Sequence, residues 1–414
     1  MLFWPIATRQ KMFQVLRLIL KEGPICEDCL GRQFAKLSTN LTNKQRGRAI
    51  KLVLAMLDDQ PIDANKCHDE NESCWVCGGL FSNLDVWVDR CVEALKEYEF
   101  DNFLIGTKLS GRLSENEEIL WFESKTTVAE PLKSHLNREV GKKVEKITNK
   151  RAEFEKPEVL VILDLARAEI ELTINPIFIY GRYKKFVRGI PQTRWPCREC
   201  GGKGCGRCDF TGKMYSESIQ EIIASSLLKV TKGVDVIFHG AGREDIDVLM
   251  LGTGRPFVLE VKKPAKRHFD LKMLEMSINC SQEKVAVFDL KFVDRNSVEK
   301  IKNTKSDKVY RLKLTYEGAI NRKELEQALS QLKGTIEQIT PKRVSHRRAE
   351  IKRIRKVHSA KLEGEHIFIK CEGGLYVKEL ISGDEGRTKP NLSELIGIPV
   401  KIVELDVLEV SGGL

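Results

Sequence analysis

The sequence predicts an α+β protein with two or three domains. The chain of 414 residues is long enough for each domain to bury a core of its own. Apolar residues recur at helical spacing near the N-terminus, and short apolar strands separated by turns follow them. From Val234 to the C-terminus strands alternate with short helices, which favours one mixed sheet.

The N-terminal half is predicted to begin with helices and to continue with strands. A first helix has its apolar face at residues 12–19 and ends before Gly23-Pro24. Further helices are predicted at 43–57 and 83–98. Strands are predicted at 103–107, 159–163, 169–174 and 177–180. Residues 80–186 are therefore expected to form one compact α+β module.

The second half is predicted to start with a basic connector at 182–195, which leads into a cysteine-rich segment. A helix at 218–228 begins the final domain. The predicted domains are an N-terminal helical and metal-binding region, an α+β module, a four-cysteine connector and a mixed-sheet domain. Their limits are 1–80, 81–190, 191–214 and 215–414.

Composition predicts a soluble globular protein, since 42% of the residues are apolar and 31% are charged. Apolar runs such as residues 52–57 are far shorter than the roughly 18 residues that span a bilayer. The N-terminus is apolar first and basic later, the reverse of a signal peptide. We expect a cytoplasmic protein with no membrane association.

The formal charge of +10 is concentrated in one segment near the C-terminus. Between Pro341 and His358 eight basic residues face one acid, Glu350. The basic residues are Lys342, Arg343, Arg347, Arg348, Lys352, Arg353, Arg355 and Lys356. Such a run is often only a solvated face, but apolar residues interleave with these arginines and lysines. A packed element that presents a basic surface to phosphates is the preferred interpretation, so nucleic acid is the leading partner.

Four C-x-x-C pairs predict two structural zinc sites. The ligands are Cys26, Cys29, Cys74, Cys77, Cys197, Cys200, Cys205 and Cys208. Two such pairs can complete a tetrahedral site of four thiolates, with no open position for catalysis. Disulfides or a redox pair are weaker alternatives without a secretory signal, and Cys67-His68 could supply other ligands.

The glycine patterns do not favour a nucleotide cofactor. No G-x-G-x-x-G follows a predicted strand, and no Walker A sequence is present. Gly252-Thr253-Gly254 lacks both the third glycine and a following helix. Nucleotide cofactors and S-adenosylmethionine therefore lose support.

The segment from Gly242 to Val248 carries the leading catalytic candidate. Asp245 lies there between two predicted buried strands, on a loop with glycine-bearing turns at either end. Asp247, two positions along, would face the same side and could support the site. The alternative is a structural carboxylate that caps a turn or pairs with Arg243.

Three later segments place further polar and apolar groups in strand or turn contexts. They contain Tyr310, then Val377 and Lys378 after Gly373-Gly374, and Leu395 after a glycine-rich turn. Taken singly, a core tyrosine and a surface lysine are the ordinary interpretations.

Together these segments resemble the pseudouridine synthases, and more closely the archaeal and eukaryotic tRNA pseudouridine-54/55 synthases of the TΨC arm. The resemblance rests on G-R-E-D-I-D-V from Gly242, P-K-R-V-S-H-R-R from Pro341 and G-D-E-G-R-T-K-P-N from Gly383. It extends over essentially the whole chain. One departure is Leu249, where that family usually has arginine, so Arg255 or another basic residue would take that role.

The resemblance implies a pseudouridine synthase mixed-sheet domain preceded by a zinc-binding and THUMP-like α+β domain. It implies isomerisation of uridine at positions 54 and 55 of tRNA, without an organic cofactor. Asp245 would be catalytic, Tyr310 would stack on the base, and Lys378 would keep Asp245 ionised. Val377 and Leu395 would form apolar walls, and Arg243 would fill the space left by the flipped base.

Two other functions remain open from the residues. One is a non-catalytic zinc-containing tRNA-binding protein, although a pure binder needs no combination of Asp245, Tyr310 and Lys378. The other is a THUMP-containing RNA methyltransferase or thiolation enzyme, which would require a cofactor-binding loop that is not seen. No obligate protein partner is evident from the sequence.

Overall fold

The computed structural model describes the backbone of residues 6–60, 74–347 and 349–414, and their side chains except those of 6–12, 346 and 347. The chain forms two compact units, Met1–Asn175 and Pro176–Leu414. Both contain helices and strands, which confirms the predicted α+β class. In the described ranges, no helix combines the length and apolar character that a membrane span requires.

The first unit carries a sheet covered by helices. Its helices are α1 (Ile6–Lys21), α2 (Glu27–Arg32), α3 (Asn43–Leu57), α4 (Leu84–Leu95), α5 (Gly111–Ser124) and α6 (Leu132–Thr148). Its strands are β1 (Asn102–Lys108), β2 (Arg151–Ala152), β3 (Val159–Asp164) and β4 (Glu169–Ile174). Within the described residues the strand order is β2-β1-β3-β4, and only the β3–β4 pair is antiparallel.

The core of this sheet follows from two periodicities. Phe103 and Ile105 alternate with more exposed residues along β1. Leu136, Val140 and Val144 recur every four residues along α6 and pack into the same core. Neither α5 nor α6 is among the predicted elements, because the many charged residues of both helices obscure this spacing.

Two glycines allow α2 and α3 to approach closely. A Cβ atom on Gly31 would lie 1.7 Å from the carbonyl oxygen of Asn43, and one on Gly47 would lie 1.9 Å from that of Glu27. Helix α3 begins after Thr42, which is part of a capping box. The predicted bounds of α3 are confirmed.

The second unit contains the remaining elements. Its strands are β5 (Ile177–Lys185), β6 (Asp235–Gly240), β7 (Leu249–Lys262), β8 (Val285–Val293), β9 (Lys308–Tyr316), β10 (Gly334–Ile339), β11 (Lys352–Glu363), β12 (His366–Cys371), β13 (Thr388–Lys389) and β14 (Val400–Val410). Its helices are α7 (Ile219–Thr231), α8 (Leu271–Cys280), α9 (Asn296–Asn303), α10 (Arg322–Gln331), α11 (Val377–Ser382) and α12 (Leu392–Ile396).

These strands form one large mixed sheet, as predicted. In the described part of the chain the order is β13-β10-β11-β12-β9-β14-β7-β5-β8, with β6 paired to β7. Strand β14 is parallel to β7 and antiparallel to β9. Because only β14 separates β7 from β9, the loop before β7 and the residues of β9 lie in the same region of the sheet.

The division between the units differs from the predicted domain limits. The strand predicted at 177–180 was expected in the module that ends at 190. It is part of β5, which pairs with β7 and β8 of the large sheet. The units divide at Asn175. The turn at Asn175-Pro176 therefore connects two different sheets and is not a hairpin within one of them, which a local sequence pattern cannot distinguish.

Candidate active site

Asp245 lies on the loop that connects β6 to β7, the elements that contain the two strands predicted to flank it. Its side chain is 37% exposed, and Oδ2 lies 3.0 Å from Nη1 of Arg343. The same oxygen lies 3.4 Å from Nζ of Lys378. The carboxylate is therefore at the surface of the domain, in an electropositive position.

Arg343 is the closer cation, and a second acid holds it. Its Nε lies 2.5 Å from Oε1 of Glu379, and only 4% of Glu379 is exposed. Burial alone would lower the pKa of Arg343, but the hydrogen bond to Glu379 and the charges of Glu379 and Asp245 raise that pKa above its ordinary value. Arg343 therefore keeps its charge and a defined position beside Asp245.

Lys378 is shared between the two aspartates of the loop. Its Nζ donates to both carboxylate oxygens of Asp247, at 3.0 and 2.7 Å. Burial tends to raise the pKa of Asp247, but the hydrogen bond and the charge of Lys378 lower it below its ordinary value. The resemblance predicts Lys378 as the partner of Asp245. In the structure Arg343 has the shorter contact with Asp245, and Lys378 is closer to Asp247.

A buried ion pair lies beneath the first half of the loop. Arg255 Nε lies 2.8 Å from Oε2 of Glu244, and both side chains are 1% exposed. Tyr183 donates its hydroxyl to Glu244 at 2.7 Å, and Arg255 Nη1 donates to the carbonyl of Ala241 at 2.9 Å. Arg255, the residue expected to replace the arginine of the family at Leu249, is thus paired with Glu244 and supports the loop.

Lys185 supports the second half of the loop. Its side chain is fully buried, and Nζ donates to the carbonyl oxygens of Ile190 and Ile246, both at 2.9 Å. The carbonyl oxygen of Asp245 lies 3.5 Å from the same Nζ. Burial lowers the pKa of Lys185, while the carbonyl dipoles replace the hydration that its ammonium loses. The backbone on either side of Asp245 is therefore anchored to the interior.

The loop opens onto a cavity of about 570 Å³. Tyr310 lines this cavity from β9, and Val377 and Lys378 line it from the start of α11. Burial raises the pKa of the Tyr310 hydroxyl, so this group stays protonated at neutral pH. A protonated hydroxyl and an aromatic face can both be presented to a base that enters beside Asp245.

Arg243 lies over the ring of Trp195, with its guanidinium carbon 4.6 Å from the ring centre. Trp195 in turn meets Tyr215 edge to face, with ring centres 5.7 Å apart. Arg243 therefore lines the cavity from a stacked position rather than projecting freely into it.

The eight predicted cysteine ligands form two groups of four, in each of which the sulfur atoms lie within 4.8 Å of one another. Sulfur atoms lie 3.8 Å apart in the pair Cys26 and Cys77 and 3.7 Å apart in the pair Cys205 and Cys208. Four thiolates at about 2.3 Å from one ion would be separated by about 3.8 Å. The backbone N–H of Gly204 and that of Gly212 donate to cysteine sulfurs, as expected around bound thiolates. Both groups can hold a metal ion.

Comparison with known proteins identifies the family. One family model, described as Pus10, C-terminal, matches residues 178–411, and another, described as Pus10 THUMP domain, archaeal, matches residues 87–164. The chain is 47% identical to the tRNA pseudouridine synthase Pus10 of Methanothrix thermoacetophila, over 95% of this chain and 93% of that protein. This chain belongs to the Pus10 family. The Pus10 protein of Methanocaldococcus jannaschii is 43% identical, over 95% of this chain and 93% of its own.

Pus10 membership confirms the resemblance seen in the sequence and makes this chain an enzyme of the pseudouridine synthase class. The THUMP match lies within the first compact unit, which confirms a THUMP-like α+β region there. A solved Cbf5-Nop10-Gar1 complex is similar at a TM-score of 0.29 and 16% identity, covering 46% of this chain and 45% of that chain. A likeness of that size supports no further conclusion.

The cavity brings together most of the residues predicted to bind substrate. Its walls include Arg243, Asp245, Tyr310, Arg343, Arg353, Val377 and Lys378. Leu395 is not among these residues; it lies on α12 and packs against the apolar core.

Of the other predicted RNA-binding residues, Lys342 pairs with Glu385, and Lys352 lies 2.7 Å from Glu337. Neither is among the residues that line the cavity. Arg348 and the side chain of Arg347 lie outside the described residues.

Tyr376 and Glu379 are site residues that the sequence pattern did not single out. The ring of Tyr376 lies 5.4 Å from the guanidinium of Arg353 and 6.0 Å from that of Arg343. Its hydroxyl accepts a hydrogen bond from Arg353 at 2.6 Å. Both residues are immediate neighbours of Val377 and Lys378 in the sequence. This adjacency was the only sequence feature that could have indicated them as site residues.

Proposed function

We propose that this protein is a tRNA pseudouridine synthase that isomerises uridine at positions 54 and 55 of the TΨC arm, with Asp245 as the catalytic group and no organic cofactor. The observation that carries the proposal is the position of Asp245. Its carboxylate lies between Arg343 and Lys378, beside a cavity lined by Tyr310, in a chain of the Pus10 family. Relatives at 43–47% identity are named as tRNA pseudouridine synthases.

The chemistry requires these groups and no electron carrier. The bond between N1 of uracil and C1′ of the ribose breaks, the base turns, and C5 bonds to C1′. The proton on C5 is lost and N1 gains one, so the product is an isomer of the substrate. Asp245 acts as nucleophile or base, and Tyr310 stacks on the base and can take part in the proton transfer. Arg343 and Lys378 balance the charge of Asp245 while the base is turned.

The remaining assignments concern RNA and metal. The basic residues Lys342, Arg343, Arg347, Arg348, Lys352 and Arg353 are proposed to contact RNA phosphates. Zn²⁺ is proposed as the structural ion of both four-cysteine groups, because tetrathiolate sites with this sulfur spacing suit it. The THUMP-like region is proposed to contact the same tRNA. A cytoplasmic location stays a prediction.

The experiment is to incubate the metal-loaded protein with an unmodified tRNA transcript and to map pseudouridine by carbodiimide-dependent stops of reverse transcription. Stops at positions 54 and 55 are expected. Stops at only one of them would restrict the proposal to that position. The absence of any stop in the TΨC arm, with protein that binds the transcript, would overturn the proposed function.

A further inference from the structure

The active-site cavity extends beyond the residues used above. Past Tyr310 it continues to residues 302–308, from the end of α9 to the start of β9, and to Gly373-Gly374. Four cationic side chains line this extension, which we call the cationic arm. They are Lys302, Lys305, Lys308 and Arg355.

Among the described residues, no acid forms an ion pair with a side chain of the cationic arm. Lys302, Lys305 and Lys308 have no carboxylate oxygen within 4.0 Å among the described side chains. Arg355 donates only to backbone carbonyl groups in that part of the chain, those of Gly373 at 3.0 Å and Ile354 at 2.7 Å. Four cations that form no ion pair with a described acid favour an anionic ligand.

Lys308 lies closest to the chemistry. It is two residues before Tyr310 on β9, so both side chains emerge on the same face of the strand. A Cβ atom built on Gly242 would lie 3.5 Å from Nζ of Lys308, which places the ammonium beside the start of the Asp245 loop. Burial and then the charge of Arg255 lower the pKa of Lys308 to about 8. An anion beside this ammonium would offset the repulsion between Lys308 and Arg255.

Ser306 lies in the segment that carries the cationic arm and holds this segment in place. The residue is 5% exposed, and among the described residues its Oγ has no hydrogen-bond partner. The segment around it is tightly packed, since a Cβ atom on Gly373 would lie 2.6 Å from the carbonyl oxygen of Ser306. This packing fixes the backbone of the segment that carries Lys305 and Lys308 along the cavity.

We propose that the cationic arm binds the ribose-phosphate backbone of the RNA strand next to the target uridine, with Lys308 contacting the phosphate nearest the reacting base. This proposal rests on the proposed function, because the arm opens from the same cavity as Asp245. A strand whose base enters beside Asp245 must bring its adjoining phosphates with it. Several cations along one wall suit successive phosphates better than a single small anion.

The test measures tRNA binding by Lys308→Met as a function of salt. Loss of one phosphate contact should weaken binding roughly tenfold at low salt and reduce the slope of log K against log salt by about 0.7–0.9. Lys370→Met is the matched control, since Lys370 is exposed on β12 opposite Val309 and thus faces the other side of the sheet. Its slope should equal that of the wild type. Equal slopes for Lys308→Met and wild type would overturn the proposal.

Two further measurements keep the test decisive. If Lys308→Met does not fold, the exposed pair Lys302→Met and Lys305→Met carries the same test. Titration with inorganic phosphate distinguishes a free anion, because loss of phosphate binding with unchanged tRNA binding would refute the RNA assignment. If the wild-type protein binds tRNA but forms no pseudouridine, the proposed function is wrong. If the wild type is active and the variants have the wild-type salt slope, only the proposal for the cationic arm is wrong.

Discussion

Arg343 connects Asp245 to the interior of its domain. One side of the guanidinium lies 3.0 Å from Asp245, and the other lies 2.5 Å from the buried Glu379. A cation fixed between an exposed and a buried carboxylate limits the positions that the exposed one can take. The orientation of Asp245 is therefore expected to depend more on Arg343 than on Lys378.

Replacing Arg343 by methionine should slow product formation roughly a hundredfold, because a charge beside the proposed catalytic carboxylate is lost and Glu379 is left unpaired. The rate should be measured in single turnover with saturating enzyme, so that weaker RNA binding does not contribute. Arg322→Met is the control, since Arg322 lies on α10 and pairs there with Glu326 at 3.0 Å. A rate for Arg343→Met that equals the control would contradict this assignment.

Asp247 should tolerate substitution better than Asp245. Its side chain is 65% exposed, and without it Lys378 still lies 3.4 Å from Asp245. We expect Asp247→Asn to keep the single-turnover rate within about fivefold of wild type, because an exposed ion pair contributes little free energy. A loss as complete as that of Asp245→Asn would instead make both carboxylates essential.

Lys308 should make stability depend on pH in the alkaline range. Its pKa is about 8 in the folded protein, and about 10.4 in an unfolded chain. Between these values the unfolded state binds more protons, so the free energy of unfolding rises with pH, by roughly 1–3 kcal/mol. Arg255, Glu244 and Cys371 also face the ammonium. Urea unfolding should show this rise in the free energy of unfolding in wild type but not in Lys308→Met. If the free energies of the two proteins change with pH in parallel, the prediction is wrong.

At the scale of elements, the two four-cysteine groups differ in what surrounds them. Cys29, Cys74 and Cys77 are part of an apolar core cluster of the first unit. Cys205 belongs to a surface segment outside the core clusters of the described residues. Metal bound at the first group should therefore stabilise the fold of its unit, and metal at the second group should stabilise mainly its own segment.

Cys74→Ser is expected to unfold the first unit, whereas Cys205→Ser should remove about one metal equivalent and leave the large sheet folded. Metal analysis and limited proteolysis of each variant distinguish these results. A wild-type protein that holds well under two equivalents of zinc would contradict the assignment of two sites.

Elements with strong local signals could be predicted from the sequence. The capping box at Thr42 determines where α3 begins, and the glycines before Val377 mark the passage into α11. Helices α5 and α6 were missed because charged residues interrupt their apolar spacing. Strand β5 was assigned to the wrong sheet, because it pairs with β7 and β8, which are distant in the chain. Its own sequence does not indicate which strands it pairs with.

At the scale of the whole molecule, the candidate active site is assembled from segments far apart in the chain. Asp245 and Arg343 are 98 positions apart, and Asp247 and Lys378 are 131 apart. The family motifs include most of these residues, and Asp245, Arg343 and Lys378 line the cavity. Their roles stay predictions. The motifs could not predict which cation meets which acid, because that depends on the packing of β7, β14, β9 and α11. The cationic arm was missed for the same reason.

The most direct test of the central claim is tritium release from tRNA labelled at C5 of uridine, since C5 loses its hydrogen when it bonds to the ribose. Asp245→Asn should reduce the release at least roughly a thousandfold while tRNA binding stays within a few fold. Asp289→Asn, at an exposed aspartate of β8, should match wild type. Wild-type rates of release from Asp245→Asn would contradict the assignment of Asp245 as the catalytic residue.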